Sequence, residues 1–446
     1  MPRALLPLSL EITTPGDQDQ GYRHAFESRS LLNPDPGILM QSTLSENFQK
    51  RLAGIKMDDP KAAVDLVSCL LAEARISNAS DIHLQPTLGG LEVRFRIDGI
   101  LVEATRLPRV LAPNVIARLK VLAELLTYRT DVPQEGRIRE VESGREVRVS
   151  TFPTLHGEKA VIRLFAASGQ FLRLNDLGLP PDVRDKLTHA LAETSGAILL
   201  TGPAGSGKTT TIYACLRELV ESSAGSRSLV TLEDPVEVAV DGVTQSQVDI
   251  QAGFDLATGL RSLLRQDPEV IVVGEIRDRP TAEVAFQASM TGHLVLSTFH
   301  AGSSSGAVAR LADMGIEPYL IRSGLLAVVS QRLVRKLCEC AREESEYRGF
   351  LGLSVSKAWV AVGCESCRGT GYRGRMLLAE LLEPERLGLG PAILARADLR
   401  VFERQAIRNG MLGRWHRAIQ AIEAGLTSPA EVRRVLGFSD TLDDPT

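Results

Sequence analysis

The stretch AILLTGPAGSGKTTTIYACL, residues 197–216, constrains the fold more than any other part of this chain. An apolar run precedes Gly202-x-x-x-x-Gly207-Lys208-Thr209, and a helix-forming run follows it. Glycines in such a turn let successive backbone N–H groups face one anion, and the next helix points its positive dipole at the same place. A strand–turn–helix of this kind belongs in a parallel sheet. Further short apolar runs, SLVTLED, EVIVVGE and HLVLSTF, alternate with helical segments from about Asp182 onward. Continuous apolar strands suit a parallel sheet covered on both faces, so the predicted fold class is α/β.

A chain of 446 residues is too long for one core and implies two or three domains. Upstream of the phosphate turn the pattern differs. DPKAAVDLVSCLLAEARI has helical spacing, LEVRFRIDGIL alternates and ends in an Asp-Gly turn, and REVRVSTFPT and KAVIRLF are further strands. The expected organisation is a weakly structured segment 1–58, a smaller α+β domain 59–170, a linker 171–185 and a parallel-sheet core 186–337. A tetracysteine segment 338–375 and a helical region 376–446 complete it.

Composition sets the class. Apolar residues make up 44% and charged residues 24%, as in an ordinary soluble protein. Only 4% are aromatic, and 51 basic residues against 55 acidic ones give a net charge of −4, which counts against nucleic acid as a partner. No run is apolar enough to cross a membrane, and the start of the chain lacks a secretory pattern. Six cysteines, four of them close together, fit a metal site in a reducing compartment, and the cytoplasm is the expected location.

The turn itself nominates its ligands. Gly202, Pro203, Gly205, Ser206, Gly207, Lys208, Thr209 and Thr210 would cradle a nucleotide's phosphates, with Lys208 on the β- and γ-phosphates and the Thr209 hydroxyl on Mg²⁺. Hydrolysis then needs carboxylates at neighbouring strand tips, where ligand crevices of parallel sheets form. SLVTLEDPVE offers Glu233 and Asp234, and EVIVVGEIRD offers Glu275. Either end can order Mg²⁺ waters or polarise the attacking water, and Glu275 is the favoured water-activating group. TGHLVLSTFHAG brackets an apolar strand with His293 and His300. Seven extended residues span roughly 23 Å, so both cannot touch one phosphate in the same subunit. His300 lies on the phosphate side as a candidate γ-phosphate sensor, and His293 suits a subunit or domain contact. Cys338, Cys340, Cys364 and Cys367 form C-x-C, 23 intervening residues and C-x-x-C. Four thiolates with no open position point to structural Zn²⁺.

In chain order, ASDIHLQP, RFRIDGIL, PQEGRIR, GPAGSGKTTT, LEDPVE, LRQDPEVIVVGEIRD, TGHLVLSTFHAG and CESCRGTGYRGR resemble the GspE/PilB-type assembly ATPases of type II secretion and type IV pili. The resemblance runs from about Ala62 to Gly437 and implies a RecA-like core after a PAS-like domain. It makes Lys208, Thr209, Glu233, Glu275, His293 and His300 members of the family's nucleotide boxes, the glutamates and histidines among the catalytic residues. It also implies ATP with Mg²⁺, a homohexamer peripheral to the inner membrane, and a platform protein as partner. Arg94, Arg96, Arg137 and Arg148 match arginines that close over the nucleotide, and Arg277 is a further candidate for a carboxylate or the nucleotide. The C-x-C half departs from the family's C-x-x-C and is expected to strain the metal site. The cluster favours secretion or pilus extension over pilus retraction, with secretion ahead. The short segment before Asp59 implies that membrane docking is reduced or uses another surface.

Overall fold

The alternating strands of the upstream region build an antiparallel sheet. The computed structural model describes residues 46–139, 146–164, 172–344 and 350–438, all within one compact unit, Ser42–Thr446. Strands β1 (Asp81–Thr87), β2 (Gly90–Ile97), β3 (Ile100–Leu107), β4 (Gln134–Arg139), β5 (Glu146–Thr154) and β6 (Gly157–Leu164) pair in the order β3-β2-β1-β6-β5-β4. Asp98 (φ 48°) and Gly99 (φ 84°) turn β2 into β3, as the Asp-Gly signal predicts. Helices Ala62–Ile76 and Ala112–Leu122 cover the apolar face with Leu66, Leu70, Val115 and Leu119. The expected start at residue 59 is too late. Helix Glu46–Ala53 inserts Phe48 and Leu52, four residues apart and therefore on one helical face, into the same core. Residues 1–45 of the expected N-terminal segment lie outside the described residues.

The phosphate turn sits in a seven-stranded sheet made of β7 (Gly196–Thr201), β8 (Leu229–Glu233), β9 (Thr244–Gln247), β10 (Val270–Glu275), β11 (Leu294–Phe299), β12 (Leu325–Leu337) and β15 (Tyr372–Leu382). A small ribbon of β13 (Arg342–Glu344) and β14 (Ala358–Val360) branches off between β12 and β15. The order is β15-β12-β7-β11-β10-β8-β9, parallel throughout except where β15 pairs antiparallel with β12. Side chains divide by parity. Ala197, Leu199, Ile271, Val273 and Val295 enter one core, and Ile198, Leu200, Val270, Val272, Leu294 and Leu296 enter the other. Burial on both faces is why these strands read as unbroken apolar runs.

Two boundaries differ from the sequence reading. The expected linker 171–185 is part of the nucleotide domain, because Leu174, Leu179 and Val183 fill the core beside β7. The region expected to be helical from residue 376 begins instead inside β15, and helices start only at Gly390. The metal segment is thus an excursion between two strands of one sheet. The C-terminal helices are clasped to that sheet by Glu431, whose side chain is fully buried. Its oxygens accept from Arg335 Nε and Nη2 at 2.9 and 2.8 Å and from Arg434 Nε at 2.7 Å, while Arg335 stacks 3.8 Å over the Tyr372 ring. Among the described residues no helix is long and apolar enough to cross a membrane.

Burial alone would raise the Glu431 carboxyl, but the hydrogen bonds from Arg434 and Arg335 outweigh it and hold the pKa below the ordinary 4.5. Its stabilisation is therefore complete above about pH 4.5 and is lost as pH falls through the lower folded value. Glu431→Ala should lower hydrogen-exchange protection of helix Pro429–Leu436 by about 3–5 kcal/mol at pH 7. That deficit should shrink in acid, and equal deficits at both pH values would contradict the clasp.

Candidate functional site

The strand tips converge as the parallel order requires. After β7 the chain turns through Gly202 (φ 147°), Gly205 (φ 72°) and Gly207 (φ 91°) into helix Lys208–Ser223. Gly202 is needed for space as well as conformation: a Cβ there would lie 2.5 Å from Gln331 O and 2.6 Å from Ser206 Oγ. Lys208 is buried, and its Nζ donates to Gly202 O at 2.9 Å and Pro203 O at 3.0 Å. Burial lowers its pKa, and Arg332 adds to this against the opposing charge of Glu275. A buried ammonium that binds only neutral carbonyls is primed for an anion. Thr209 and Thr210 stand exposed on the first turn of the helix.

Glu275 ends β10 beside this lysine. Its Oε1 pairs with Arg277, and its Oε2 lies 3.5 Å from His300 Nε2. The guanidinium of Arg277 is raised by its bond to Glu275, with Asp234 contributing charge from the tip of β8. Lys208, Glu275, Arg277, Asp234 and His300 therefore form one electrostatic group. The carboxylate is accessible enough to meet water, with 19% of its side chain exposed.

Glu233 has a different environment. It is buried, and both of its oxygens are engaged: Tyr213 donates to Oε2 at 2.5 Å, and Thr231 and Gln245 donate to Oε1 at 2.6 and 3.1 Å. The Tyr213 hydroxyl also accepts the Glu237 N–H at 3.1 Å, and burial together with Glu233 pushes the phenol above its usual range. Glu233 is thus the centre of a network that fixes the loop after β8.

The two histidines stand at opposite ends of β11, as the strand length predicts. The His293 ring donates from Nδ1 to Ala288 O at 3.0 Å, and its own carbonyl accepts from Gly196, so it takes no part in the cluster. Of the four candidate arginines, Arg94 binds Glu92 at 2.8 Å, and Arg96 binds Asp81 at 3.3 Å. Both stay within their own domain, Arg94 with an exposed guanidinium and Arg96 against the buried Asp81. Arg148 reaches across to Glu237 at 3.2 Å on the nucleotide side, and Arg137 is its cross-strand neighbour. Sequence reasoning missed Tyr213, Gln245, Thr201, Gln331 and Arg332. These lie in ordinary helical or alternating positions, and only the pairing of distant strands brings them to the turn.

The four cysteines meet at the end of the β12–β15 hairpin. All four Sγ atoms lie within 4.8 Å of one another, with Cys338–Cys364 and Cys340–Cys367 at 3.8 Å and Cys364–Cys367 at 3.7 Å. A tetrahedron with bonds of about 2.3 Å has edges of about 3.8 Å, so the donor set fits a metal ion and the C-x-C half closes on it. Cys367 Sγ accepts N–H groups from Cys364 and Gly371, both at 3.1 Å. Burial raises this thiol, but those two amides and the neighbouring thiols outweigh it and bring the pKa down to about 6. Gly363 and Gly371 allow the tight return: a Cβ on either would come within 2.5 Å of the facing chain.

Residues 56–434 match the family described as Type II/IV secretion system protein, and the chain belongs to that family. It is 42% identical over 369 residues to type II secretion system protein E of Aeromonas hydrophila, covering 81% of this chain and 73% of that one. It is 40% identical over 424 residues to the type II secretion system ATPase E of Vibrio cholerae, covering 93% and 83%. The fold resembles the Legionella pneumophila ATPase DotB, with a TM-score of 0.62, 23% identity, and 83% and 94% of the two chains covered.

Gly202→Ala should weaken binding of a fluorescent ATP analogue by about tenfold or more and also lower the thermal midpoint. The added methyl collides with Ser206 inside the turn and with the Gln331 carbonyl of β12, so the turn and that strand must move apart. Unchanged affinity would show that the turn opens without this close approach.

Proposed function

We propose that this chain is the ATPase that drives a type II secretion machine, hydrolysing ATP at the turn Gly202–Thr209. One observation carries the reading: the tips of β7, β10 and β11 bring Lys208, Glu275, Arg277 and His300 to a single point. Backbone N–H groups of the turn and Lys208 hold the phosphates. Glu275 takes the proton of a water as its oxygen bonds to the γ-phosphorus, and the bridging O–P bond breaks with its electrons leaving on ADP. His300, beside Glu275, reports the loss of the γ-phosphate. Glu233 is a positioning carboxylate, since its oxygens are committed to Tyr213, Thr231 and Gln245. When Mg²⁺ is bound it neutralises phosphate charge, with Thr209 and the Asp234 end of β8 as its holders. Arg148 and Arg137 close over the nucleotide when the two domains approach.

The wider reading follows from the family. Six subunits form a ring on the cytoplasmic side of the inner membrane and bind a platform protein there, and the cycle assembles a pilus-like fibre. The tetracysteine segment holds Zn²⁺ as a structural ion, because all four positions are thiolates.

Phosphate release by purified protein tests the enzyme. Lys208→Ala and Glu275→Gln should each lose at least about a hundredfold in turnover, whereas Glu233→Gln, which keeps the size of the side chain but turns one acceptor into a donor, should lose about tenfold or less. Rates equal to wild type in the first two variants would end the proposal. Metal analysis of protein purified without chelator should give about one equivalent of zinc, and less than half would count against that site.

A further inference from the structure

His300 has an exposed ring, with 45% of its side chain open to solvent, and its contact to Glu275 is long at 3.5 Å. Its placement must come from the backbone, and the backbone is held unusually well. Three consecutive carbonyls of the turn after β11 are bound by three side chains from different elements. His300 O accepts from Arg310 Nη1 at 2.5 Å, Ala301 O from Thr201 Oγ1 at 3.2 Å, and Gly302 O from Arg332 Nη2 at 2.6 Å. The Thr201 hydroxyl also accepts the Ala301 N–H at 2.8 Å, which ties the turn to the tip of β7.

Arg332 connects this clamp to the phosphate turn. Its Nη1 donates to Gln331 O at 2.8 Å, the same carbonyl that a Cβ on Gly202 would meet at 2.5 Å. One planar guanidinium on β12 thus bonds to the end of the histidine turn and back to its own neighbour Gln331, and its Nη1, 3.1 Å from where a Cβ on Gly202 would lie, stands against the first glycine of the phosphate turn. A lysine cannot span both with a fixed fork. Among the described residues no carboxylate forms an ion pair with Arg332, whose hydrogen bonds go to the carbonyls of Gln331 and Gly302. Burial and the nearby Arg414 lower its pKa, against the charge of Glu380. A cavity of about 510 Å³ whose lining includes Gly302, Ser303, Arg310, Arg332, Glu403 and Arg414 gives solvent access to the group.

We propose that Arg332 is a positioning residue that braces the His300–Gly302 turn against the phosphate turn and so keeps His300 beside Glu275. The inference rests on the role given to His300 above. The brace makes the geometry of the histidine depend on the geometry of the phosphate turn, and it contributes to turnover rather than to nucleotide affinity.

The test is phosphate release and nucleotide binding for wild type, Arg332→Ala, Arg332→Lys, His300→Ala and the double variant Arg332→Ala/His300→Ala. Both Arg332 variants should lose about tenfold or more in kcat with nucleotide affinity within about threefold, and the double variant should be no slower than His300→Ala within about twofold. Guanidinium at tens of millimolar should restore Arg332→Ala several-fold through the cavity and leave Lys208→Ala inactive. Multiplying losses in the double variant, full activity in Arg332→Lys, or no rescue by guanidinium would each overturn the brace. A drop in nucleotide affinity matching the drop in kcat would make Arg332 a phosphate contact instead. Wild-type turnover in His300→Ala would remove the histidine's role and the brace with it, while the hydrolysis reading, tested by Lys208 and Glu275, would stand.

Discussion

The parallel ladder through β7 is the constraint on which everything else depends. β7 lies between β11 and β12, and β10 pairs with β11 in parallel, so the C-terminal tips of the three strands that bear chemistry are neighbours. Each buried Leu, Ile or Val in these strands is worth roughly 1.5–3 kcal/mol, and the six residues of β7 are all buried. That burial fixes the strands, and Lys208, Glu275 and Arg277 sit at or just beyond their ends. The polar groups are therefore placed by the sheet and do not place it.

Two glutamates at adjacent strand tips illustrate how environment assigns roles. Glu275 retains access to water and shares its charge with Arg277 and His300, whereas Glu233 is enclosed and hydrogen-bonded at both oxygens. The network around Glu233 also fixes the loop whose Glu237 meets Arg148 of the preceding domain, through the Tyr213 hydroxyl. The helix that begins at the phosphate turn thus reaches, by way of one phenol, the point where the two domains touch. On the far side the metal segment makes a second contact between them, with the Gly374 N–H donating to Asp98 at 3.1 Å and Arg368 to Ser77 at 3.2 Å.

Much of this was legible in order along the chain. Gly202-x-x-x-x-Gly207-Lys208-Thr209 with its flanking runs specifies a strand, a phosphate turn and a helix, because no other local structure satisfies those glycines and that apolar pattern. Continuous apolar strands specify a sheet buried on both faces, and the length of β11 separates His293 from His300 whatever the surroundings. Cysteine identity and spacing name a four-thiolate site. The C-x-C half was expected to strain it, yet the Sγ atoms close to tetrahedral spacing because the segment is hung between β12 and β15.

What only the tertiary structure decided concerns partners distant in sequence. Leu174 and Val183 look like linker residues until they are seen to fill the core beside β7, and MLLAELL looks helical until β12 offers it a free edge. Nothing in the alternation of β12 marks Arg332, whose role exists only because Gly302, thirty residues earlier, is brought to it. Local pattern fixes periodicity and turn chemistry, since these depend on neighbours in sequence. Which carboxylate is enclosed, and which arginine braces which turn, depends on the order in which strands pair, and no local pattern carries that information.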